Sequence, residues 1–200
     1  MGGADSLESD LKRVSADVYI STNGHGIEFQ KPDYLLAMDE VHKRAKRPMG
    51  EYLRSISDAP IISPHGYADF RLSNWPQNPR FVLSGLIGAW AAWLMGAKAV
   101  ILAGMDAYDG TPGYIWEAEK IARDIPGVVR VASGPLSRVW PEYDPKEKFG
   151  HYTPHSAIQG WLGMDGRIRV RVDHPTYIAG REVRPGEELE AMRHEVRRLL

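Results

Sequence analysis

The sequence predicts an α/β fold in which a mostly parallel sheet is flanked by helices. Residues 98–105 (KAVILAGM) form a continuous apolar run, which is typical of a strand buried on both faces of a parallel sheet. This run follows directly on a predicted helix that begins near Ser84 and is apolar on nearly every side. A helix, a tight turn and a buried strand are half of a β-α-β unit, the repeating element of parallel sheets.

Composition narrows the range of functions. The chain has 200 residues, enough for one domain or for one domain with a small appendage. Its net charge of -1 predicts neither a nucleic acid nor a membrane surface as partner. It contains no cysteine, which excludes disulfides and thiol nucleophiles and fits a reducing compartment. The longest uncharged run, which includes residues 83–97, is shorter than the roughly 20 residues of a membrane span. Because no basic and apolar signal segment opens the sequence, we expect a cytoplasmic protein.

The first part of the chain alternates between helix, strand and turn patterns. Ser6 is expected to cap a helix whose apolar stripe is Leu7, Leu11 and Val14. The β-rich run 16–22 ends at the turn that starts with Asn23. The further predictions are short strands at 34–38 and 59–63, a polar loop with a helix over 42–58, and a proline-rich loop over 73–80.

The second part carries the predicted binding edge. Ser84 is expected to cap the apolar helix, and the strand over 98–105 ends just before Asp106. In open Rossmann-like sheets, ligands bind beyond the carboxyl ends of the strands, which places Asp106 beside the expected site. The remaining predictions are a loop over 106–113, a helix over 114–124, a strand over 128–132, a helix opened by Thr153 and Pro154, a half-exposed strand over 168–172, and a turn with a charged helix within 174–200.

Four segments resemble the bacterial sialyltransferases of glycosyltransferase family 42. They resemble more loosely the related Rossmann-like families around archaeal hydroxymethylpterin pyrophosphokinase and the flagellin glycosyltransferases. Residues 2–7 (GGADSL) resemble the family's opening nucleotide loop, and residues 17–23 resemble the strand that ends in a nucleotide-binding Asn. Ser84-Gly85 together with residues 101–108 (ILAGMDAY) resemble its S-G…G-x-D-x-Y block, and residues 151–156 (HYTPHS) resemble its H-Y-x-x-H-S segment.

The resemblance implies a Rossmann-like transferase domain over residues 1–163, followed by a strand and helix appendage over 164–200. It further implies a metal-independent glycosyltransferase that uses a CMP-sugar donor and an unidentified hydroxyl acceptor, with no further cofactor. Family members are often oligomers, so a homo-oligomer stays open. The nucleotide-binding candidates are Ser6, Asn23, Ser84, Gly85 and Asp106, and the catalytic candidates are His155, Tyr108, Tyr114 and Tyr152.

The residue types suit this chemistry. Phenol groups such as Tyr108 and Tyr114, six residues apart, donate hydrogen bonds to a departing phosphate without a metal. His155 lies near the predicted start of a helix, where the helix dipole favours the neutral imidazole that a general base requires. The alternative roles are packing for the tyrosines and a plain helix-cap position for His155. His151 and His155 are four residues apart, but Pro154 disrupts the helical geometry that a metal site would need.

Two departures from the family pattern keep other functions open. Gly3 and Asp5 stand where the family's opening loop has Asn and Pro, and no strand precedes that loop in this sequence. Either the start is truncated or the sheet lacks a central strand. The second function considered is a Mg²⁺-dependent ATP pyrophosphokinase of the pterin type, for which Asp106 and Asp109 supply carboxylates. The third is a catalytically inactive relative of viral or mobile-element origin.

Overall fold

The computed structural model describes residues 1–72, 83–95, 97–125, 129–149, 161–162, 167–171, 176–178 and 181–192. Its helices are α1 (Leu7–Leu11), α2 (Met49–Ile56), α3 (Ser84–Leu94), α4 (Ala107–Gly110) and α5 (Pro112–Asp124), with a 3₁₀ turn at Pro135–Arg138. Its strands are β1 (Ile20–Thr22), β2 (Tyr34–Leu36), β3 (Val41–His42), β4 (Arg47–Pro48), β5 (Ile61–Ser63), β6 (Phe70–Arg71), β7 (Val100–Leu102), β8 (Val129–Val131), β9 (Trp161–Leu162), β10 (Arg167–Arg171), β11 (Thr176–Ile178), β12 (Arg181–Val183) and β13 (Glu188–Met192).

Parallel pairing dominates the first three quarters of the chain. Four parallel strands lie in the order β1-β2-β5-β6, with Leu35 opposite both Ser21 and Ile61. A second parallel pair joins β7 to β8, with Leu102 opposite Val131. Beyond β8, a single parallel bridge joins Val131 to Glu142. These pairings confirm the predicted α/β class with a mostly parallel sheet.

Helices cover both faces of the strands. Successive strand residues point to opposite faces, so Leu35 packs with Leu53 of α2 whereas Leu36 packs with Ile87 of α3. The same alternation in the β7–β8 pair sends Leu102 into a core shared with α3 and α5, while Ala103, just past β7, packs with Leu7 of α1. The strands therefore form a middle layer between α1 and α2 on one side and α3 and α5 on the other.

The described segments past residue 160 include antiparallel strands. β10 lies between β9 and β13, and β11 pairs with β12. The prediction of a strand near residue 168 is confirmed. The charged helix predicted within 174–200 is wrong for Glu188–Met192, where the sequence alternates polar and apolar residues and pairs with β10 along five positions. Pairing of an alternating segment outweighs the helix propensity of Glu, Leu, Ala and Met.

Several local predictions need correction. The loop predicted over 106–113 contains α4, and α5 begins at Pro112 rather than at Tyr114, because proline is pre-organised for the first helical position. Ser84 is the first residue of α3, and Leu83 occupies the cap position. Ser6 does occupy the cap position of α1, but its hydroxyl bonds to the Asp10 carboxylate instead of to a backbone N–H.

Other elements went unpredicted. The two-residue strands β3 and β4 form a hairpin within the region predicted as loop and helix. Strand β6, which pairs with β5, was not predicted from the sequence. Within the described ranges, no helix is long and apolar enough to cross a bilayer.

A gap separates β1 from β7, and residues 1 and 2 lie at one end of it. The Met1 amino group donates to the Ile20 carbonyl at 2.7 Å, and the Thr22 N–H donates to the Met1 carbonyl at 3.0 Å. On the other side, the Gly2 N–H donates to the Ala103 carbonyl at 2.8 Å. The rest of the gap is a cavity of about 720 Å³.

Candidate functional site

The loops that follow the parallel strands meet at one edge of the sheet. Residues 2–6 lie between the loop after β1 and the loop after β7, because Met1 and Gly2 bond to both strands. Beyond them, residues 37–40 follow β2 and residues 64–67 follow β5. This edge is where parallel α/β sheets bind ligands.

Glycines allow the first loop to press against its neighbours. A Cβ atom on Gly2 would lie 2.3 Å from the Gly104 carbonyl oxygen, and one on Gly3 would lie 2.8 Å from the His25 ring. Gly104 itself has φ +63°, and a Cβ there would lie 2.7 Å from Cβ of Leu7. Side chains at these positions would separate the three loops, so the glycines bring the backbone of residues 2–4 into the centre of the edge.

A buried carboxylate fixes the loop after β7. Asp10 is only 1% exposed, and its Oδ2 accepts hydrogen bonds from the Gly104 N–H at 2.8 Å and from the Ser6 hydroxyl at 3.2 Å. Asp10 therefore positions Gly104 against residues 2–4. Ser6, which the sequence predicts to bind the nucleotide, donates its hydroxyl to Asp10 in the structure.

Asn23 presents an unsatisfied polar atom at the same edge. It adopts the left-handed conformation with φ 55°, and its N–H donates to the Leu36 carbonyl at 2.8 Å. Its side-chain Oδ1 is buried and has no hydrogen-bond partner among the described residues. Buried acceptors are normally paired, so this atom is suited to a ligand that donates a hydrogen bond, such as the amino group of a nucleobase.

His25 is a titratable group beside the glycine loop. The residue is exposed overall, yet its ring packs on the backbone of Gly3. Burial of the ring and then the positive charge of Arg44 lower the pKa of His25, while Glu28 acts in the opposite direction. The neutral ring is thus favoured near neutral pH, which is the form that accepts a proton.

A second histidine lies between the ends of β2 and β5. Its ring, that of His65, has Nε2 2.9 Å from the Met38 carbonyl oxygen and Nδ1 3.3 Å from Oε1 of Glu40. The carbonyl and the carboxylate both accept hydrogen bonds, so either ring nitrogen meets an acceptor when it carries a proton. The ring stacks on Tyr67 with 5.7 Å between centroids, and burial raises the pKa of that phenol.

Residues of the predicted S-G…G-x-D block also meet here. A Cβ on Gly85 would lie 2.5 Å from Sδ of Met105, so the start of α3 packs directly on the loop that holds Asp106. Ser84 is partly buried beside it, and Asp106 accepts the Gly110 N–H through its carbonyl at 3.0 Å. Gly85 thus packs on Met105, the neighbour of Asp106, and Gly2 packs on Gly104 and Met105 of the same loop.

The structure describes only part of the predicted catalytic set. Tyr152 and His155 lie outside the described residues, and for Tyr108 only the backbone, in α4, is described. Tyr114 lies in the first turn of α5 and packs partly buried against the core of α3, β7 and β8. Convergence of these four residues stays a prediction.

The sequence analysis assigned no role to Asp10, His25 or His65. Asp10 follows Leu7 by three positions, so it shares the apolar stripe of α1, and an acid on such a stripe signals burial with a partner. His25 is flanked by glycines, which signal close backbone approach. Within the described part of the chain, no group of three or more His, Asp or Glu side chains is placed to hold a metal ion.

Comparison of the chain with protein-family models, with curated proteins and with solved structures found no match.

Proposed function

We propose that this chain has a Rossmann-like fold, binds a nucleotide at the carboxyl edge of its parallel strands, and acts as a metal-independent glycosyltransferase with a CMP-sugar donor. The observation that carries the nucleotide site is the position of residues 2–4. They lie between strands whose connections run in opposite directions across the sheet, β1 followed by β2 on one side and β7 followed by β8 on the other. Such a switch point is where Rossmann-like sheets bind nucleotides.

The order of strands supports this proposal. Counting the gap as one strand position, the order is β6-β5-β2-β1-gap-β7-β8. If the gap holds the first strand, the chain winds outward on one side before it crosses to the other, as in the doubly wound folds. A glycine loop that follows the first strand is also where those folds approach a phosphate with backbone N–H groups.

The transferase chemistry rests on the sequence resemblance. In the reaction, the acceptor hydroxyl oxygen forms a bond to the anomeric carbon of the sugar, while the bond from that carbon to the phosphate oxygen breaks. The hydroxyl proton passes to a base, and the departing CMP takes the electron pair. His155 is the expected base from the sequence, and His25 is the neutral histidine beside the glycine loop.

Nucleotide titrations test the proposal. Thermal unfolding is followed with CMP, CDP and ATP, each with and without Mg²⁺. We expect CMP to raise the unfolding temperature without metal, because a ligand that binds only the folded state stabilises it. Stabilisation by ATP only with Mg²⁺ would favour the pyrophosphokinase function, and no shift with any nucleotide would contradict the site.

A matched glycine pair places the ligand. Gly3→Ala inserts a methyl group against the His25 ring, whereas Gly66→Ala meets nothing within 4 Å. CMP affinity should fall at least about tenfold in the first variant, a loss of about 1.4 kcal/mol, and stay unchanged in the second. Equal CMP affinity in both variants would rule out residues 2–4 as the nucleotide loop.

The base is assigned by comparing His155→Ala with His25→Ala. Loss of transfer with retained CMP binding identifies the base. General-base catalysis contributes roughly 100- to 10,000-fold, so the difference is measurable.

A further inference from the structure

The gap between β1 and β7 has the geometry of a vacant strand position. Met1 bonds to Ile20 and Thr22 in the alternating pattern of a parallel ladder, which places it opposite Ser21. Gly2 then continues along β7 through its bond to Ala103. One chain segment that bonds to both neighbours sets β1 and β7 about two strand spacings apart, roughly 9–10 Å.

Three backbone N–H groups along the gap have no hydrogen-bond partner among the described residues. Residues 19, 21 and 23 turn their N–H and carbonyl groups towards β2, so Ile20 faces the gap. By the same alternation Leu102 faces β8, whereas Ile101 and Ala103 face the gap. Within the described part of the chain, the N–H groups of Ile20, Ile101 and Ala103 have no hydrogen-bond partner. Such groups are rarely left unpaired in protein interiors.

The walls of the gap suit apolar side chains. On one face, α3 turns small residues towards it, including Gly88 and Ala92, which leave room for larger side chains. On the other face lie Leu11 and Val14. The charged residues of the lining are Asp17 and Lys98, which precede β1 and β7, together with Glu147 and Lys148. A strand with apolar residues on both faces fits these walls, as in other buried parallel strands.

The amino group of Met1 indicates how such a strand is connected. It lies at the inner end of the gap, and burial lowers its pKa to about 5 from 8.0. A peptide bond at this nitrogen would keep the N–H that donates to Ile20 and would leave no amine there that can gain a charge.

We propose that the gap is a binding site for one more parallel strand, and that its occupant is an extended apolar segment joined by a peptide bond to the Met1 nitrogen. Since Met1 lies opposite Ser21, a segment that reaches back to Asp17 contributes four residues before Met1. That length matches the usual strand of about five residues.

Two N-terminal extensions of equal length test this inference in the full chain. One adds Met-Lys-Val-Ile-Val-Ile before Met1, and the other adds Met-Lys-Ser-Asn-Ser-Asn. We expect the apolar extension to raise the midpoint of thermal unfolding by at least about 10 °C over the polar one. Amide hydrogen exchange at Ile20, Ile101 and Ala103 should slow at least about tenfold in the apolar form alone, because these groups gain partners. Equal midpoints or equal exchange in the two forms would overturn the proposal.

A space-filling variant separates strand insertion from unspecific adhesion. A Cβ on Gly88 meets only Cγ2 of Thr22, at 3.5 Å, so Gly88→Leu places its side chain in the gap. The unextended chain should tolerate this change, whereas the apolar extension should lose its stabilising effect. If the extension stabilised the Gly88→Leu chain as strongly, it would lie elsewhere and the proposal would fail.

Other occupants give different results. The unextended chain is mixed with the free peptide Lys-Val-Ile-Val-Ile and is also sized by analytical ultracentrifugation. Slow exchange at the same amides with the free peptide but not with the extension would assign the gap to a separate polypeptide. A dimer of the unextended chain with these amides protected would assign it to a second copy. Either result overturns the proposed connection to Met1.

Discussion

The Asp10 carboxylate offers the sharpest test of how the candidate site is held. Replacing Asp10 by Ala removes the acceptor for the buried Gly104 N–H and for the Ser6 hydroxyl. A buried donor left without a partner costs about 1–3 kcal/mol, and a hydrogen bond to a charged group contributes about 1.5–3 kcal/mol. The hydroxyl can turn to water, so we expect the free energy of unfolding to fall by roughly 2–4 kcal/mol in total.

Urea unfolding followed by circular dichroism measures this loss, with thermal unfolding as a second readout. For a chain of this size, each kcal/mol corresponds to about 2–4 °C, so Asp10→Ala should lower the midpoint by roughly 4–16 °C. Asp10→Asn keeps an oxygen that accepts from Gly104 and should lose about half as much.

The matched control is Glu8→Ala in the same helix. Glu8 is exposed, its carboxylate pairs with Lys12 at 2.8 Å, and such pairs contribute about 0.3–0.5 kcal/mol. If Asp10→Ala were no more destabilising than Glu8→Ala, the carboxylate would not hold the loop after β7, and the placement of residues 2–4 against that loop would need another cause.

Three further predictions follow from other features. Gly104→Ala puts a methyl group against Leu7 in a left-handed backbone and should destabilise by about 1–3 kcal/mol in urea unfolding, while Gly66→Ala should stay within about 0.5 kcal/mol. In the unextended chain that begins at Met1, the buried amino group has a pKa lowered to about 5 and stays uncharged over a range in which the unfolded chain binds a proton, so the stability of that form should fall by up to about 4 kcal/mol as the pH drops from 8 to 5. N-α-acetylation should remove this contribution to the pH dependence of the unfolding free energy. If the acetylated and unmodified chains showed the same pH dependence, the Met1 amino group would not be its cause. Arg130 donates to both carboxylate oxygens of Glu147. A double-mutant cycle should therefore give a coupling free energy of about 1 kcal/mol that decreases in high salt. A coupling of zero would show that the pair does not contribute to stability.

Much of the fold could be predicted because apolar runs report burial directly. The strands around Leu35, Ile61 and Ile101 each lie in a run of residues that is apolar on both faces. Helix α3 could be predicted because its sequence is apolar on nearly every side. The hairpin of β3 and β4 could not be predicted in this way, because strands of two residues have no measurable period.

The candidate site depends on contacts that no local pattern encodes. The Asp10–Gly104 bond joins residues 94 apart in the chain, and the packing of Gly3 on His25 requires the strands to be in register first. The sequence nevertheless contained partial signals in the glycines and in the acid on the apolar stripe of α1. The supporting residue Asp10 was missed by the sequence analysis, and the nucleotide-binding role of the predicted residues stays a prediction.

The short outer strands have a consequence for solution behaviour. Sheets with long open edges tend to recruit other chains and aggregate. One outer boundary here is β6, two residues long, and the other is protected by the bridge from Val131 to Glu142 next to Pro141. Among the described parallel strands, the backbone groups most available for recruitment therefore face inwards, along β1 and β7. Aggregation of this protein on concentration should accordingly depend on whether that interior slot is filled, and much less on substitutions at Phe70 or Glu142.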